Sequence, residues 1–231
     1  ACGRLGCMNK SALPVPDNDA IALLPAYPRL ELDHITRVST AAQAADAWGV
    51  LRQHSAWGFD TESRPTFLKD QVSDGPHVLQ LATADHAWVI QLHDPAVRQT
   101  VSAWLADPAY LKAGFGLGDD TKRLLRKLGV APQGVLELNA VFRALGYRRE
   151  MGVKGAVAVL FGQRFAKSKK AATSNWSVAN LSESQVLYAA NDAWAAGNVY
   201  AALYAAHPAL VERLSAPVSP PNEQTASTHQ P

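Results

Sequence analysis

Hydrophobic and polar positions alternate along the chain in a pattern that predicts strands and helices in succession. The Ala-rich residues 40–54 place apolar side chains three and four positions apart, which predicts an amphipathic helix. A short apolar run at residues 56–59 predicts a strand that ends in charged residues. Two β-rich runs follow at residues 77–83 and 87–92, and their three-residue connection predicts a β-hairpin.

The second half of the chain continues the alternation with shorter elements. We predict a helix, a strand, a helix, a strand and two helices, at residues 95–105, 111–117, 120–128, 135–138, 139–145 and 153–161. A capping box, Ser182-Glu183-Ser184-Gln185, then opens a final helix that runs to about Ala206. A hairpin followed by β–α repeats predicts an α/β fold with a mixed central β-sheet flanked by helices.

Both ends of the chain differ in composition from this ordered region. Residues 1–27 hold prolines among small residues, and we expect a flexible N-terminal extension there. Residues 215–231 are rich in proline and contain no aromatic residue, which predicts a disordered C-terminal tail. The remaining residues, 28–214, have a length that fits one domain.

Charge is distributed unevenly along the chain. The net charge is only +2, but between Lys122 and Lys170 twelve basic residues stand against two acidic ones, Glu137 and Glu150. That segment therefore carries +10 and the rest of the chain −8. A basic half beside an acidic half suits a phosphate-binding protein whose catalytic end is acidic. A solvated run of charges is an equally open alternative.

Cysteine usage and hydropathy bear on the compartment. The two cysteines, Cys2 and Cys7, both precede the predicted domain, which excludes a disulfide framework there and favours a reducing compartment. Residues 21–24, the longest apolar stretch near the start, are too short for a signal segment or a membrane span. We therefore expect a cytoplasmic protein with no membrane partner.

Carboxylates follow two of the predicted strands. Asp60 and Glu62 lie two positions apart, so both side chains point to one face if the strand continues through them. A solvated strand end is the commoner outcome for such a pair. Asp120 follows the strand at residues 111–117 and lies at a predicted helix start, where Asp also serves as an N-cap. Asp119 competes with it for either role.

The final helix carries a further pair of candidate residues. Tyr188 and Asp192 are four positions apart and therefore share one helical face, beside several alanines that allow close approach of a sheet or a substrate. The alternatives are a core-edge tyrosine and an aspartate paired with a basic side chain. Together with the strand-end carboxylates, this group offers the oxygen ligands that Mg²⁺ and Mn²⁺ prefer.

Three segments that contain these residues resemble known sequence motifs. Residues 59–62 (Phe-Asp-Thr-Glu), 118–125 (Gly-Asp-Asp-Thr-Lys-Arg-Leu-Leu) and 187–193 (Leu-Tyr-Ala-Ala-Asn-Asp-Ala) resemble the three motifs of the DEDD superfamily of 3′–5′ exonucleases, in its tyrosine-bearing branch. Residues 174–177 are similar to the Werner-syndrome-type exonuclease domain, and ribonuclease D is a more distant look-alike. The resemblance covers about residues 35–206 and implies an RNase H-like (DnaQ-like) exonuclease fold.

The resemblance also implies a role for each acidic residue in a two-metal mechanism that uses Mg²⁺ or Mn²⁺. Asp60 would bridge both ions, and Glu62 and Asp192 would complete the ion that holds the attacking water. Asp120 would serve the second ion, and Tyr188 would orient the water. Two such ions can activate the attacking water and stabilise the leaving oxygen. The products would be nucleoside 5′-monophosphates, and the partner single-stranded or 3′-recessed DNA, favoured over RNA.

The register of the second motif favours Asp120 over Asp119. In the family the acid is followed four and five positions later by the apolar pair of the helix. From Asp120 those positions are Leu124 and Leu125, whereas from Asp119 the first of them would be Arg123.

Basic and aromatic residues near the motifs are candidate nucleic-acid contacts. Four basic residues could hold or guide substrate phosphates: Arg164, Lys167, Lys169 and Lys170. Trp176 could stack on a base, although packing is the favoured alternative for a tryptophan after a loop. Phe67 and Leu68 could wedge against the terminal base. The alternative function is a catalytically silent nucleic-acid-binding module of the same fold.

Overall fold

The computed structural model describes residues 12–66 and 74–216. Phe67 and Leu68 lie outside the described residues, as do nearly all residues of the predicted C-terminal tail. The described residues form one six-stranded sheet with helices packed on its two faces.

The sheet is mixed, as the alternation of elements predicts. Its strands are β1 (Ile35–Val38), β2 (Ala56–Glu62), β3 (Val78–Ala82), β4 (Ala87–Gln91), β5 (Leu111–Gly114) and β6 (Val135–Glu137). Their spatial order is β1-β4-β3-β2-β5-β6. The β2–β3 and β3–β4 pairs are antiparallel, and the other pairs are parallel. Strand β2 therefore lies inside the sheet, between β3 of the antiparallel pair and the parallel strand β5.

Nine α-helices precede, connect or follow these strands within the described ranges. They are α1 (Asn18–Ala22), α2 (Ala41–Leu51), α3 (Pro95–Ala106), α4 (Leu117–Leu128), α5 (Leu138–Ala144), α6 (Val153–Phe161), α7 (Lys169–Ala172), α8 (Glu183–Ala206) and α9 (Pro208–Ser215). Among the described residues, no helix combines the length and the apolar character that crossing a membrane requires.

Alternation along β2 divides its side chains between two cores. Trp57 and Phe59 are buried in the core formed with α2, α3 and α4. The intervening residues Gly58, Asp60 and Glu62 share the other face, on which α8 lies. The acidic end of β2 is therefore directed towards α8.

Several predicted elements are confirmed. Helix α6 has the predicted bounds, and the predicted hairpin is the antiparallel pair β3–β4. The capping box is present at α8, where the Ser182 side chain accepts the Gln185 backbone N–H and the Gln185 side chain accepts the Ser182 backbone N–H. These features depend on nearby residues, which explains why a local pattern was sufficient to predict them.

The segment between β5 and α4 differs from the prediction. The strand ends at Gly114, and α4 begins at Leu117, three residues before the predicted start at Asp120. Gly116 adopts a left-handed conformation with φ of 70°, which ends the extended backbone. The Leu117 N–H then donates to the Glu137 carboxylate over 2.8 Å. Neither Asp119 nor Asp120 is the N-cap of this helix.

The described part of the predicted N-terminal extension packs on the domain, unlike the flexible segment we expected. The Tyr27 ring lies 5.5 Å from the Phe161 ring and 5.6 Å from the Trp194 ring. The backbone N–H of Tyr27 donates to the Arg164 carbonyl oxygen over 3.0 Å. An aromatic side chain that finds ring partners on α6 and α8 offsets the entropy of ordering this segment.

Helix α8 approaches β2 closely because glycine occupies the contact. A Cβ atom added to Gly58 would lie 1.9 Å from the Ala193 carbonyl oxygen and 2.7 Å from the Gly197 nitrogen. The position of a Cβ atom on Gly197 would be 3.3 Å from the Gly58 backbone. The helix backbone therefore rests on the strand backbone, and this contact brings Asp192 to the level of Asp60.

Substitution at this crossing tests its importance. We expect Gly58→Ala to lower the free energy of unfolding by about 3 kcal/mol, because the new methyl group would push α8 away from β2. Gly49→Ala is the matched control, since a Cβ atom there meets nothing within 4 Å. It should raise stability by about 0.5–1 kcal/mol through helix propensity. Urea denaturation measures both, and an unchanged midpoint for Gly58→Ala would contradict the close contact.

Candidate active site

Three acidic side chains from two elements meet where α8 crosses β2. Asp60 and Glu62 come from the strand and Asp192 from the helix, and each offers a ligand oxygen within 4.8 Å of the others. Asp192 is 3% exposed. Alternation along the strand and the glycine contact beneath the helix produce this convergence, which the sequence motifs predict.

Burial and mutual repulsion disfavour the charged forms of these carboxyl groups. Burial, followed by the charge of Asp192, raises the pKa of Asp60 to about 8. Burial and the charges of Asp60 and Asp192 raise the pKa of Glu62 to about 9. Burial also raises the pKa of Asp192, although Lys167 opposes this change. A cation at this point would stabilise all three charged forms.

Asp120 contacts strand β2 by a hydrogen bond with Thr61. Its Oδ1 accepts a hydrogen bond of 2.8 Å from the Thr61 hydroxyl, and burial raises its pKa. The Asp119 side chain is instead 79% exposed and pairs with Lys122 over 3.3 Å. Of the two alternatives in the second motif, Asp120 is therefore the one that faces β2. It lies outside the cluster of three carboxylates.

Tyr188 lies one helical turn before Asp192 on α8. Its ring centroid is 5.9 Å from that of Trp176. Burial and the neighbouring Asp192 carboxylate raise the pKa of Tyr188. The phenol therefore keeps its proton at neutral pH and can donate a hydrogen bond beside the carboxylates.

Lys167 contributes a positive charge to the cluster. Its Nζ lies 2.8 Å from Asp192 Oδ2 and 5.3 Å from the centre of the Tyr188 ring. Burial, the largest single influence, lowers the pKa of Lys167, but the charge of Asp192, its hydrogen bond to the ammonium and the charge of Asp60 act together in the opposite direction. The net shift of the pKa is upward, so the ammonium stays charged. We predicted a phosphate contact for Lys167, and here the side chain pairs with a carboxylate.

Two of the other predicted nucleic-acid contacts have different roles in the structure. Arg164 Nη1 donates to the Ala22 carbonyl oxygen over 2.9 Å, so its guanidinium anchors the N-terminal segment. Trp176 is 1% exposed, which confirms the packing alternative and leaves no ring face free for a base. Lys169 and Lys170 are exposed on α7, and neither forms an ion pair with a described residue.

Two cavities flank Asp192. A cleft of about 390 Å³ contains Asp60, Glu62 and Lys167, and its remaining wall includes Asn139. A second cavity of about 240 Å³ lies on the Tyr188 side, and both cavities reach Asp192. Reasoning from the sequence missed Asn139, since an asparagine in the first turn of a helix carries no signal for a cleft. Thr61 was also missed, although its place between the motif carboxylates could have indicated it.

The donor set of the cluster fits a hard divalent cation. Its ligands are carboxylate oxygens, which Mg²⁺ and Mn²⁺ prefer, and no cysteine or histidine joins them among the described residues. The Lys167 ammonium already places a positive charge against one of these oxygens. Asp60, Glu62 and Asp192 are therefore the residues that could hold such an ion.

The fold and the arrangement of acidic residues are those of the RNase H-like exonuclease class. The model of the 3′–5′ exonuclease family matches residues 35–206 of the chain. The protein therefore belongs to the 3′–5′ exonuclease family. This match confirms the resemblance on which the sequence motifs rested.

Individual relatives support the same assignment. A 3′–5′ exonuclease of Arabidopsis thaliana is 25% identical over 148 residues, which cover 63% of this chain and 51% of that protein. The bifunctional 3′–5′ exonuclease/ATP-dependent helicase WRN of Mus musculus is 31% identical over 145 residues, 62% of this chain and 10% of that protein. The chain thus matches about half, or less, of the length of these relatives.

A solved structure shares the fold. Ribonuclease D of Trypanosoma brucei, in complex with RNA U12, superposes with a TM-score of 0.65 at 18% identity. The match covers 91% of this chain and 77% of that one. At this identity the similarity establishes the RNase H-like fold.

The raised pKa values predict how stability changes with pH when no metal is present. Asp60 and Glu62 ionise near pH 4 in the unfolded chain but only near pH 8 to 9 in the folded protein. The folded state therefore binds more protons in this window, and stability should fall as pH rises through it.

Thermal unfolding in EDTA from about pH 5 to about pH 8 measures this dependence. We expect the melting temperature to fall less steeply for Asp60→Asn than for the parent, and Mn²⁺ in place of EDTA to restore the melting temperature of the parent at the higher pH. Asp119→Asn, at an exposed position, should follow the parent. Equal slopes for Asp60→Asn and the parent would show that the buried carboxyl group does not titrate in this way.

Proposed function

We propose that the protein is a metal-dependent 3′–5′ exonuclease that hydrolyses phosphodiester bonds at nucleic-acid 3′ ends and releases nucleoside 5′-monophosphates. The observation that carries the proposal is the convergence of Asp60, Glu62 and Asp192, with ligand oxygens within 4.8 Å of one another, beside a helical tyrosine. Two divalent cations, Mg²⁺ or Mn²⁺, would supply an activated water and neutralise charge on the leaving oxygen.

The residues around the cluster can support this reaction in distinct ways. Asp60, Glu62 and Asp192 would hold the first ion, and Asp120 would serve the second from its position against Thr61. The protonated Tyr188 phenol would orient the attacking water by hydrogen bonding. Lys169 and Lys170 are exposed and would attract the phosphates of the strand.

We propose single-stranded or 3′-recessed DNA as the substrate, on the resemblance of residues 174–177 to the Werner-syndrome-type domain. RNA is the second candidate, because a structure with the same fold, ribonuclease D of Trypanosoma brucei, was solved in complex with RNA U12.

A cytoplasmic location stays a prediction. A catalytically silent module is the alternative, but all five side chains of the family pattern are present.

Activity assays with matched variants test the proposal. An end-labelled strand incubated with Mn²⁺ should shorten from its 3′ end, and EDTA should stop the reaction. Asp60→Asn should lower kcat by about a thousandfold or more, because it removes a ligand charge. Tyr188→Phe should lower kcat by about tenfold to a hundredfold with little change in KM, because it removes only the water-orienting hydroxyl.

Asp119→Asn is the matched control for these variants, because its carboxylate is exposed and paired with Lys122. Its activity should stay within about twofold of the parent. An unchanged rate for Asp60→Asn, or shortening that persists in EDTA, would overturn the proposal.

A second assay separates the two substrate candidates. Matched DNA and RNA oligonucleotides are compared as single strands, 3′-recessed duplexes and blunt duplexes. We expect the highest kcat/KM for single-stranded and recessed DNA. A higher kcat/KM for RNA of the same sequence would assign the site to RNA, with the 2′-hydroxyl as the group that the protein distinguishes.

A further inference from the structure

The ammonium group of Lys167 contacts a carboxylate that would serve as a metal ligand. Its Nζ is 2.8 Å from Asp192 Oδ2, while the Asp192 side chain is only 2% exposed. Asp192 is also one of the three residues whose ligand oxygens lie within 4.8 Å of one another. The lysine and a divalent ion would therefore compete for the same buried carboxylate.

Electrostatics favours exchange over joint occupation. An ion bound to the cluster would lie about 2 Å from a carboxylate oxygen. A lysine still paired with Asp192 would then hold a like charge a few ångströms from that ion. The mutual repulsion of Asp60, Glu62 and Asp192 is relieved more fully by a divalent ion than by one ammonium group. Metal binding should consequently weaken the ion pair between Asp192 and Lys167.

Lys167 has the freedom that such an exchange requires. Its side chain is 40% exposed, and it lies between buried Phe165 and Ser168, the N-cap of α7. A flexible four-carbon stem lets the ammonium turn towards solvent without movement of the backbone. Lys169 and Lys170 follow directly on α7, so a released Lys167 would extend one basic surface from the cleft.

We propose that Lys167 holds the cation position on Asp192 until a divalent ion takes it, and that the released ammonium then binds a phosphate of the substrate strand. This inference rests on the proposed function of the site. It makes Lys167 a substrate-binding residue that couples metal occupancy to strand binding. By linkage, the strand should in turn strengthen metal binding.

Metal affinity gives the first test, without any measurement of turnover. Mn²⁺ is titrated into the parent and into the variants Lys167→Gln, Lys167→Arg and Lys169→Gln. Electron paramagnetic resonance measures the free Mn²⁺ at each step, which gives the dissociation constant. Loss of the competing cation should tighten Mn²⁺ binding by Lys167→Gln about threefold to tenfold. Lys167→Arg keeps the charge and should stay close to the parent. Lys169→Gln, the matched control, should also be unchanged.

Strand binding gives the second test and separates exchange from general electrostatics. The probe is a fluorescent oligonucleotide with phosphorothioate linkages at its 3′ end, with and without Mn²⁺. Lys167→Gln should weaken strand binding about threefold to tenfold when Mn²⁺ is present. Without the ion it should leave strand binding unchanged, because in the parent Lys167 is then paired with Asp192 and does not contact the strand. Lys169→Gln should weaken binding similarly in both conditions.

The outcomes distinguish this inference from the proposed function. A parent protein that binds no Mn²⁺ would overturn the proposed function, and the inference with it. Tight Mn²⁺ binding with equal affinities for the parent and Lys167→Gln would overturn the inference alone. A loss of strand affinity in Lys167→Gln that is the same with and without Mn²⁺ would also overturn it. Far-ultraviolet circular dichroism of each variant checks that it is folded, and Lys167→Met, which also removes the charge, replaces Lys167→Gln if that variant is unfolded.

Discussion

The backbone contact between α8 and β2 is the constraint on which the site depends. Gly58 and Gly197 allow the helix to rest directly on the strand, and any side chain at Gly58 would strike the helix backbone. Because of this contact, a carboxylate from the helix reaches two carboxylates from the strand. The neighbouring strands β3 and β5 fix β2 from both sides, so the position of its two carboxylates is fixed as well.

The same closeness makes the site electrostatically unfavourable without a cation. Burial and mutual repulsion raise the pKa of Asp60 and Glu62 well above their ordinary values, although Lys167 partly compensates. Carboxylates in such a position weaken the folded state, and the divalent cation that we propose for this site would offset their repulsion. The membership of the chain in the 3′–5′ exonuclease family agrees with this conclusion, which the geometry supports independently.

Local features of the fold were predictable because they depend on neighbours in sequence. The capping box of α8, the hairpin of β3 and β4, and helix α6 each follow from a pattern within a few residues. The predicted start of α4 was wrong by three residues. The left-handed conformation of Gly116 and the hydrogen bond from Leu117 to Glu137 determine where this helix begins. The N-terminal segment was also misjudged, since its ring partners lie more than a hundred residues away.

For the site, the sequence alone determined which residues share a face. A spacing of two on a strand and of four on a helix fixes the directions of Asp60, Glu62, Tyr188 and Asp192 wherever those elements are placed. Only the tertiary structure decided which partners these faces meet: Thr61 for Asp120, Asp192 for Lys167, and the buried core for Trp176. Those contacts join distant segments, and their geometry depends on how closely helix and sheet pack, which no local pattern specifies.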